Sequence, residues 1–191
     1  MEFDAIIKKR NSVRSFKSKV APWDRVLEAI DAANQGPFAG NHNNLKFLIV
    51  EDKESINKIA GLCDQTWINE SGLLVIVCSE ESELEYKYNE RGRIYSRQQA
   101  GAVIATFLLK IVDMGLAACW VGAYNDEGIK NLLKVPKNAN IEVVIPIGYE
   151  KEKTSKKKKK ELGNTIYWEK WFGSKRPDIF AERKDSMALR S

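Results

Sequence analysis

The chain predicts one domain of mixed helices and strands, and three observations carry that prediction. Its 191 residues are enough for one full hydrophobic core. Apolar content of 43% and charged content of 30% are those of a globular protein. Between residues 1 and 150, helical and strand periodicities alternate, an order that by itself admits a parallel α/β sheet. The net charge of +5 is unevenly spread: residues 151–191 carry 13 Lys/Arg against 6 Asp/Glu, so the remainder is slightly acidic.

Phe3, Ile6 and Ile7 fall at i, i+3 and i+4, which predicts a short helix over residues 2–9. Pro22 suits the first turn of a second helix whose apolar stripe is Trp23, Val26, Leu27 and Ile30. Residues 35–44 hold Gly36, Pro37, Gly40 and three Asn, so they read as an irregular loop. A strand follows at 47–50 and a helix at 54–63. Residues 73–78 are apolar without alternation, as in a central strand. The charged stretch 80–93 reads as exposed. Residues 98–114 form a helix apolar on nearly every side, which requires burial on every side, and Gly115 suits its C-terminal cap. Strands at 117–121 and 141–148 flank a helix at 126–133. Residues 1–165 are expected to form the domain, and 166–191 an aromatic and basic arm that covers either its own domain or a second subunit.

Several chemistries are disfavoured. Cys63, Cys78 and Cys119 are an odd, widely spaced set that fits neither a zinc pattern nor a disulfide framework, and His42 is the only histidine. No metal site is expected. No apolar run reaches the ~20 residues of a membrane helix. The acidic start predicts no secretory signal, hence a cytoplasmic protein with reduced thiols. Chemistry is expected from a bound cofactor. Arg10 and Arg14 with Ser12 between them form a compact oxyanion site in principle, although a basic surface turn is the commoner use of such residues.

The company of that cluster is more specific. Arg10-Asn11-Ser12-Val13-Arg14-Ser15-Phe16 follows the first helix. Pro37-Phe38-Ala39-Gly40-Asn41-His42-Asn43 precedes the first strand. Gly115-Leu116-Ala117-Ala118-Cys119-Trp120-Val121-Gly122-Ala123-Tyr124 follows the long helix. Glu90-Arg91-Gly92-Arg93-Ile94-Tyr95 leads into Gln99-Ala100-Gly101, and Ile145-Pro146-Ile147-Gly148-Tyr149 precedes a basic run. In this order the five pieces resemble the flavin-dependent nitroreductase family. Asn11, Phe38, Asn43, Gln99 and Thr106 depart from the commoner residues at their places.

The resemblance implies an α+β fold: a mostly antiparallel central sheet wrapped by helices, in an intertwined homodimer with FMN between the subunits. It implies that Arg10 and Arg14 offer charge to the phosphate, with hydrogen bonds from Ser12 and Asn11 and further charge from Lys157 and Lys159. Asn41 and Asn43 would meet the pyrimidine edge, Gln65 the same ring, and Pro37, Phe38 and Ala39 would line it. Trp120, Val121, Gly122 and Ala123 would form the other side, with a backbone N–H at Gly122 or Ala123 directed at flavin N5. No catalytic side chain is implied. NADH or NADPH would be the donor, and a nitroaromatic, quinone or related small molecule the acceptor, by a ping-pong mechanism. Specialised relatives (peptide-heterocycle dehydrogenases, dehalogenases, flavin-cleaving enzymes) are the alternative, and Glu90-Arg91-Gly92 leans toward the first of these. A flavin store without turnover is a third reading. The lysine run beside Tyr167, Trp168, Trp171 and Phe172 would also suit nucleic acid, but the acidic body argues against a nucleic-acid partner.

Overall fold

A computed structural model describes residues 2–154 and 159–174. The helices are α1 (Phe3–Lys9), α2 (Trp23–Ala33), α3 (Lys53–Leu62), α4 (Ser82–Tyr88), α5 (Glu90–Asp113) and α6 (Asp126–Leu133). The strands are β1 (Leu45–Val50), β2 (Leu73–Glu80), β3 (Ala117–Ala118) and β4 (Ala139–Gly148). They form one sheet in the order β1-β2-β4-β3, antiparallel throughout. The parallel sheet that alternation alone admits does not form. Val50 faces Leu74, so the connection through α3 begins and ends at the same end of the sheet, and β2 must run back along β1.

The central position of β2 explains its unbroken apolar run. Leu73, Val75 and Val77 pack with Val26, Ala29, Val103, Phe107 and Ile111 of α2 and α5. Leu74, Ile76 and Cys78 face the opposite way, among Ile56, Ile59 and Ile129 of α3 and α6. The sheet is thus a middle layer covered on both faces, and period-2 alternation in β2 separates two apolar sides rather than apolar from polar. Phe107 is fully buried with its ring 6.4 Å from that of Phe47. Truncating it to Ala would cost about 3–5 kcal/mol.

Local sequence sets the ends of the elements. Asp52 accepts from Ser55 N at 2.8 Å and Asn125 from Gly128 N at 2.9 Å, capping α3 and α6. Gly115 at φ 77 closes α5, with Leu116 N donating to Ile111 O and Gly115 N to Val112 O, both at 3.0 Å. That is a Schellman closure, which needs the left-handed residue glycine supplies. The stretch 80–93 is largely exposed, as expected, and mostly helical: α4 and the first turn of α5 lie against each other. At Gly92 a Cβ would collide with the Leu84 carbonyl, so Gly92 is where the two backbones touch.

Two further expectations are corrected. The third strand is only Ala117–Ala118, continued by an isolated bridge at Val121, because Cys119 and Trp120 leave regular pairing. And α5 is not covered on all sides within this protomer: Ile94, Gln98, Ala105 and Thr106 are exposed. On α1 and α2, Phe3, Ile7, Trp23 and Leu27 are exposed too, although they belong to the predicted apolar stripes.

Residues 1–154 form one compact unit and 155–191 a second. In the second, a turn at Leu162–Asn164 precedes a cluster of Tyr167, Trp171 and Phe172, with ring centroids 5.1 to 5.8 Å apart.

Candidate functional site

Residues 10–17 run as an extended segment along the β3 edge. Val13 N donates to Ala118 O at 3.1 Å, Lys17 N to Tyr149 O at 2.8 Å, and Lys151 N to Ser15 O at 3.1 Å. Val13, Phe16, Ala117 and Trp67 form a small apolar cluster beneath the segment. Glu70 accepts from Phe16 N at 3.0 Å. With its apolar residues turned down and its backbone paired, the segment leaves its polar side chains upward.

Three of them, on Arg10, Ser12 and Arg14, act on the Cys119 thiol. Burial pushes the thiol up from its ordinary pKa; against this, the Arg14 charge, a hydrogen bond shared with Ser12, and the Arg10 charge all pull it down. The Arg14 guanidinium also lies 6.0 Å from the centre of the Trp67 ring. The Asn11 side chain is engaged within the chain. Its Nδ2 donates to Thr154 O at 2.9 Å and its Oδ1 accepts from Ser12 N at 3.0 Å, so its side chain shapes the turn and fixes Thr154. Lys157 lies outside the described residues, and Lys159 is exposed in the second unit.

Trp120, Val121, Gly122 and Ala123 continue along the same edge. Val121 is held by two bonds with Val144, at 3.0 and 3.1 Å. Trp120, Gly122 and Ala123 are exposed. Among the described residues, no hydrogen bond engages the N–H of Gly122 or Ala123. A Cβ on Gly122 would meet only Trp120, at 3.7 Å, so packing within the protomer does not demand glycine there.

The second wall is the loop ahead of β1. It turns on two consecutive left-handed residues, Gly40 at φ 57 and Asn41 at φ 55. Asn is the side-chain-bearing residue that tolerates this best. A Cβ on Gly40 would lie 2.5 Å from the Tyr88 hydroxyl. The amide of Asn43 is used within the loop, donating to Asn34 Oδ1 at 3.2 Å and accepting from Leu45 N at 3.0 Å. Asn41 makes no side-chain hydrogen bond among the described residues and is exposed. His42 Nε2 sits 3.2 Å from Glu83 of α4. Gln99 of α5 accepts from Ala39 N at 3.0 Å and donates to His42 O at 3.1 Å and Asn44 Oδ1 at 2.5 Å. A cavity of about 310 Å³ opens between Pro37-Phe38-Ala39 and Tyr95, Gln98, Gln99 and Ala102. Gln65 lies in the turn just before Trp67, away from this loop in sequence and on the α3 side of the sheet.

The two walls stand at opposite edges of the sheet. The Asn41 loop leads into β1, whereas Arg10, Arg14 and Trp120–Ala123 line β3, with β2 and β4 between. Three strand spacings make roughly 14 Å. A flat ring in contact on both faces needs walls only about 7–8 Å apart. The chain thus supplies both kinds of wall but does not close them on one another.

Sequence reasoning missed Gln99, Tyr88 and Trp67 as parts of these walls. Gln99 stood out as a polar residue on an apolar helix and as a departure from the family's commoner residue, but not as a support of the loop. Tyr88 and Trp67 had no signal, because their contacts depend on how α4 and the turn Thr66–Glu70 fold back. A larger cavity, about 860 Å³, is lined by Lys17, Glu51, Lys53, Asn69, Glu70 and Lys151 among others, and by none of the predicted contacts.

Relatives share the fold. A Methanothermobacter thermautotrophicus protein provisionally named NADH dehydrogenase/NAD(P)H nitroreductase is 28% identical over 151 residues, covering 76% of each chain. The crystal structure of a nitroreductase family protein from Clostridium novyi NT superposes with a TM-score of 0.73 at 27% identity, over 91% of this chain and 97% of that one. An iodotyrosine deiodinase structure with FMN and 3-iodo-L-tyrosine superposes with a TM-score of 0.76 at 22% identity, over 88% of this chain and all of that one, a likeness of fold. Residues 7–75 and 61–149 match the model of the nitroreductase family, and the chain belongs to that family.

Proposed function

We propose that the protein is an FMN-dependent oxidoreductase that takes hydride from NADH or NADPH and reduces a nitroaromatic, quinone or related small acceptor. What supports this reading is that Arg10, Ser12 and Arg14 lie on or beside the segment paired with the β3 edge and act on the Cys119 thiol, while the N–H groups of Gly122 and Ala123, a few residues further along the chain, make no hydrogen bond among the described residues. The donor set fits FMN. Two guanidinium groups and a hydroxyl suit a phosphate dianion. An unused carboxamide at Asn41 can both donate and accept, as a pyrimidine edge requires. Lys157 and Lys159 belong to the same proposal as further phosphate partners.

Bound there, FMN would accept and return hydride at N5. The chain's own part is positional. The arginines fix the phosphate end. Gly122 lets the backbone approach, and an N–H from Gly122 or Ala123 favours negative charge where it develops. Trp120 and Val121 on one side, and Pro37, Phe38 and Ala39 on the other, keep water out and align the reactants. This reading assigns no side chain as acid or base and takes the protons for the acceptor from solvent.

The separation of the walls favours a homodimer in which each site takes its β3 edge from one copy and its loop from another. The exposed apolar residues Phe3, Ile7, Trp23, Leu27 and Ile94 give such a pairing something to bury. Donor and acceptor would then use one cleft in turn, giving ping-pong kinetics. The direct test is the visible spectrum of the purified protein before and after addition of FMN, with light scattering on the same sample. Retained FMN on a dimer, and parallel double-reciprocal lines with a donor and a quinone, are expected. A monomer that holds no flavin would end this reading. The likeness to a deiodinase fold makes a dehalogenating relative the second reading, for which halide release from a halogenated phenol is the deciding assay.

A further inference from the structure

A loop that grips a planar ring must hold its shape before the ring arrives, since ordering it on binding would cost affinity. The loop before β1 is an unfavourable one to hold, with left-handed Gly40 and Asn41 in succession. Tyr88, Asn43 and His42 each touch it at one point. A backbone bond from His42 N to Ala39 O at 3.1 Å closes the turn from within, and Gln99 of α5 bridges it from outside. Its Oε1 takes the Ala39 N–H on one side of the left-handed pair, while its Nε2 reaches His42 O on the other and Asn44 Oδ1 beyond.

Only a carboxamide does this. The turn presents a backbone donor and two oxygen acceptors to the same buried side chain, and Gln supplies one acceptor and two N–H donors. A carboxylate would keep the Ala39 bond but set its second oxygen against two others. A Met of similar length would leave all three groups without a partner. Gln99 is 5% exposed, so water does not replace what it provides. Its own placement is fixed twice: by α5, and by Asn44, which donates to Ser96 Oγ at 2.8 Å and Glu80 O at 3.1 Å.

We propose that Gln99 is the positioning residue of the ring-binding loop: without touching the flavin, it sets the turn that presents Asn41 and the Pro37–Ala39 wall. This rests on the flavin reading above. The test compares the full-length flavin-free protein with its Gln99→Met, Gln99→Glu and Ser12→Ala variants. The readings are FMN affinity, the visible band of the protein saturated with FMN, and the melting temperature. Both Gln99 variants are expected to bind FMN at least about tenfold more weakly, the scale of one lost buried hydrogen bond. At saturation their flavin band should also be shifted, because the ring sits differently. Ser12→Ala should weaken FMN while leaving the band as in the wild type. Should Gln99→Met fail to fold, Gln99→Glu, which retains the Ala39 bond, gives the same reading. Wild-type affinity in the Gln99 variants overturns the proposal and spares the flavin reading. So does a loss of affinity with an unchanged band, or a melting transition lost in both variants, since either marks general packing. A wild-type protein that binds no FMN removes the flavin reading and this proposal together.

Discussion

The two walls of the cleft are built by different means. The β3 edge is shaped by backbone: residues 13, 15 and 17 pair with β3 and with the end of β4, and Val121 pairs with Val144, leaving Arg10, Arg14, Gly122 and Ala123 to face outward. The loop before β1 has almost no such pairing. Side chains hold it, among them Gln99, Asn43, Asn44 and His42. A backbone-built wall can change its outward residues at little cost to folding. A side-chain-built wall cannot, because the residues that give it shape also give it stability.

The largest effect expected follows from the first half of that contrast. Arg10→Ala or Arg14→Ala removes a charge-assisted partner of the phosphate, worth about 1.5–3 kcal/mol, so FMN affinity should fall by roughly 10- to 150-fold. Melting of the flavin-free protein should barely move. The free protein holds two like charges around Cys119, and each truncation relieves them; Arg14→Ala forfeits only a contact with Trp67 of about 0.5–1 kcal/mol. Titration of flavin fluorescence and a melt on the same samples check both halves. A variant that melts several degrees lower would show that this wall, too, depends on its side chains.

Gly40→Ala probes the other wall and should behave oppositely. A left-handed alanine costs about 1–2 kcal/mol, and its Cβ must displace the Tyr88 hydroxyl. The flavin-free protein should melt several degrees lower, at about 2–4 °C per kcal/mol for a chain of this size. Combined with Tyr88→Phe, the steric part should be recovered and the backbone part should remain, a non-additivity that a double-mutant cycle reads directly. Full additivity would mean that α4 does not press on the loop.

The same contrast explains what the sequence could reveal. The strand at 73–78, the helix at 126–133 and the Gly115 cap were legible because each rests on local pattern: an apolar run, a 3.6-residue period, a single residue at positive φ. Arg10, Ser12 and Arg14 could be grouped as a candidate for a similar reason, since they are neighbours in the chain. The loop's supports were not legible, because Gln99, Tyr88 and Asn34 lie between 9 and 60 residues from the atoms they hold or crowd. Asn11 and Asn43 looked like ligand contacts because a carboxamide beside a basic or glycine-rich turn serves either use. In the fold their amides also bond within the chain, to Thr154 and Asn34. Trp23 and Leu27 were placed in a core stripe because period reports an apolar face, not what covers it.

Gly122→Ala sharpens the comparison within the backbone-built wall. A Cβ there meets only Trp120 at 3.7 Å, an ordinary contact, so the melting temperature should stay within about 2 °C. If the backbone must come close to the flavin, the same methyl should slow flavin reduction by NAD(P)H several-fold, as small misplacements do. Stopped-flow reduction and a melt decide it. A rate equal to wild type would move the point of close approach to Ala123.

The smallest effect concerns the layer behind the β3 edge, where Cys63, Cys78 and Cys119 all sit in one apolar cluster. Burial pushes the Cys63 and Cys78 thiols from 9.0 up to about 11 each. A group whose folded pKa is raised contributes fully below its unfolded value and loses that contribution as pH climbs to the folded one. The thiols therefore favour the fold up to about pH 9 and progressively cease to do so between about 9 and 11. Lysines and tyrosines titrate in the same window, so the reading is a difference. Denaturant midpoints at pH 8 and pH 10.5 should fall less in Cys78→Ala than in the wild type, although the variant starts lower for the atom it lost. Equal slopes would mean that Cys78 ionises as readily in the folded protein as in the unfolded chain, which its place between β1 and β4 does not permit without water entering the sheet.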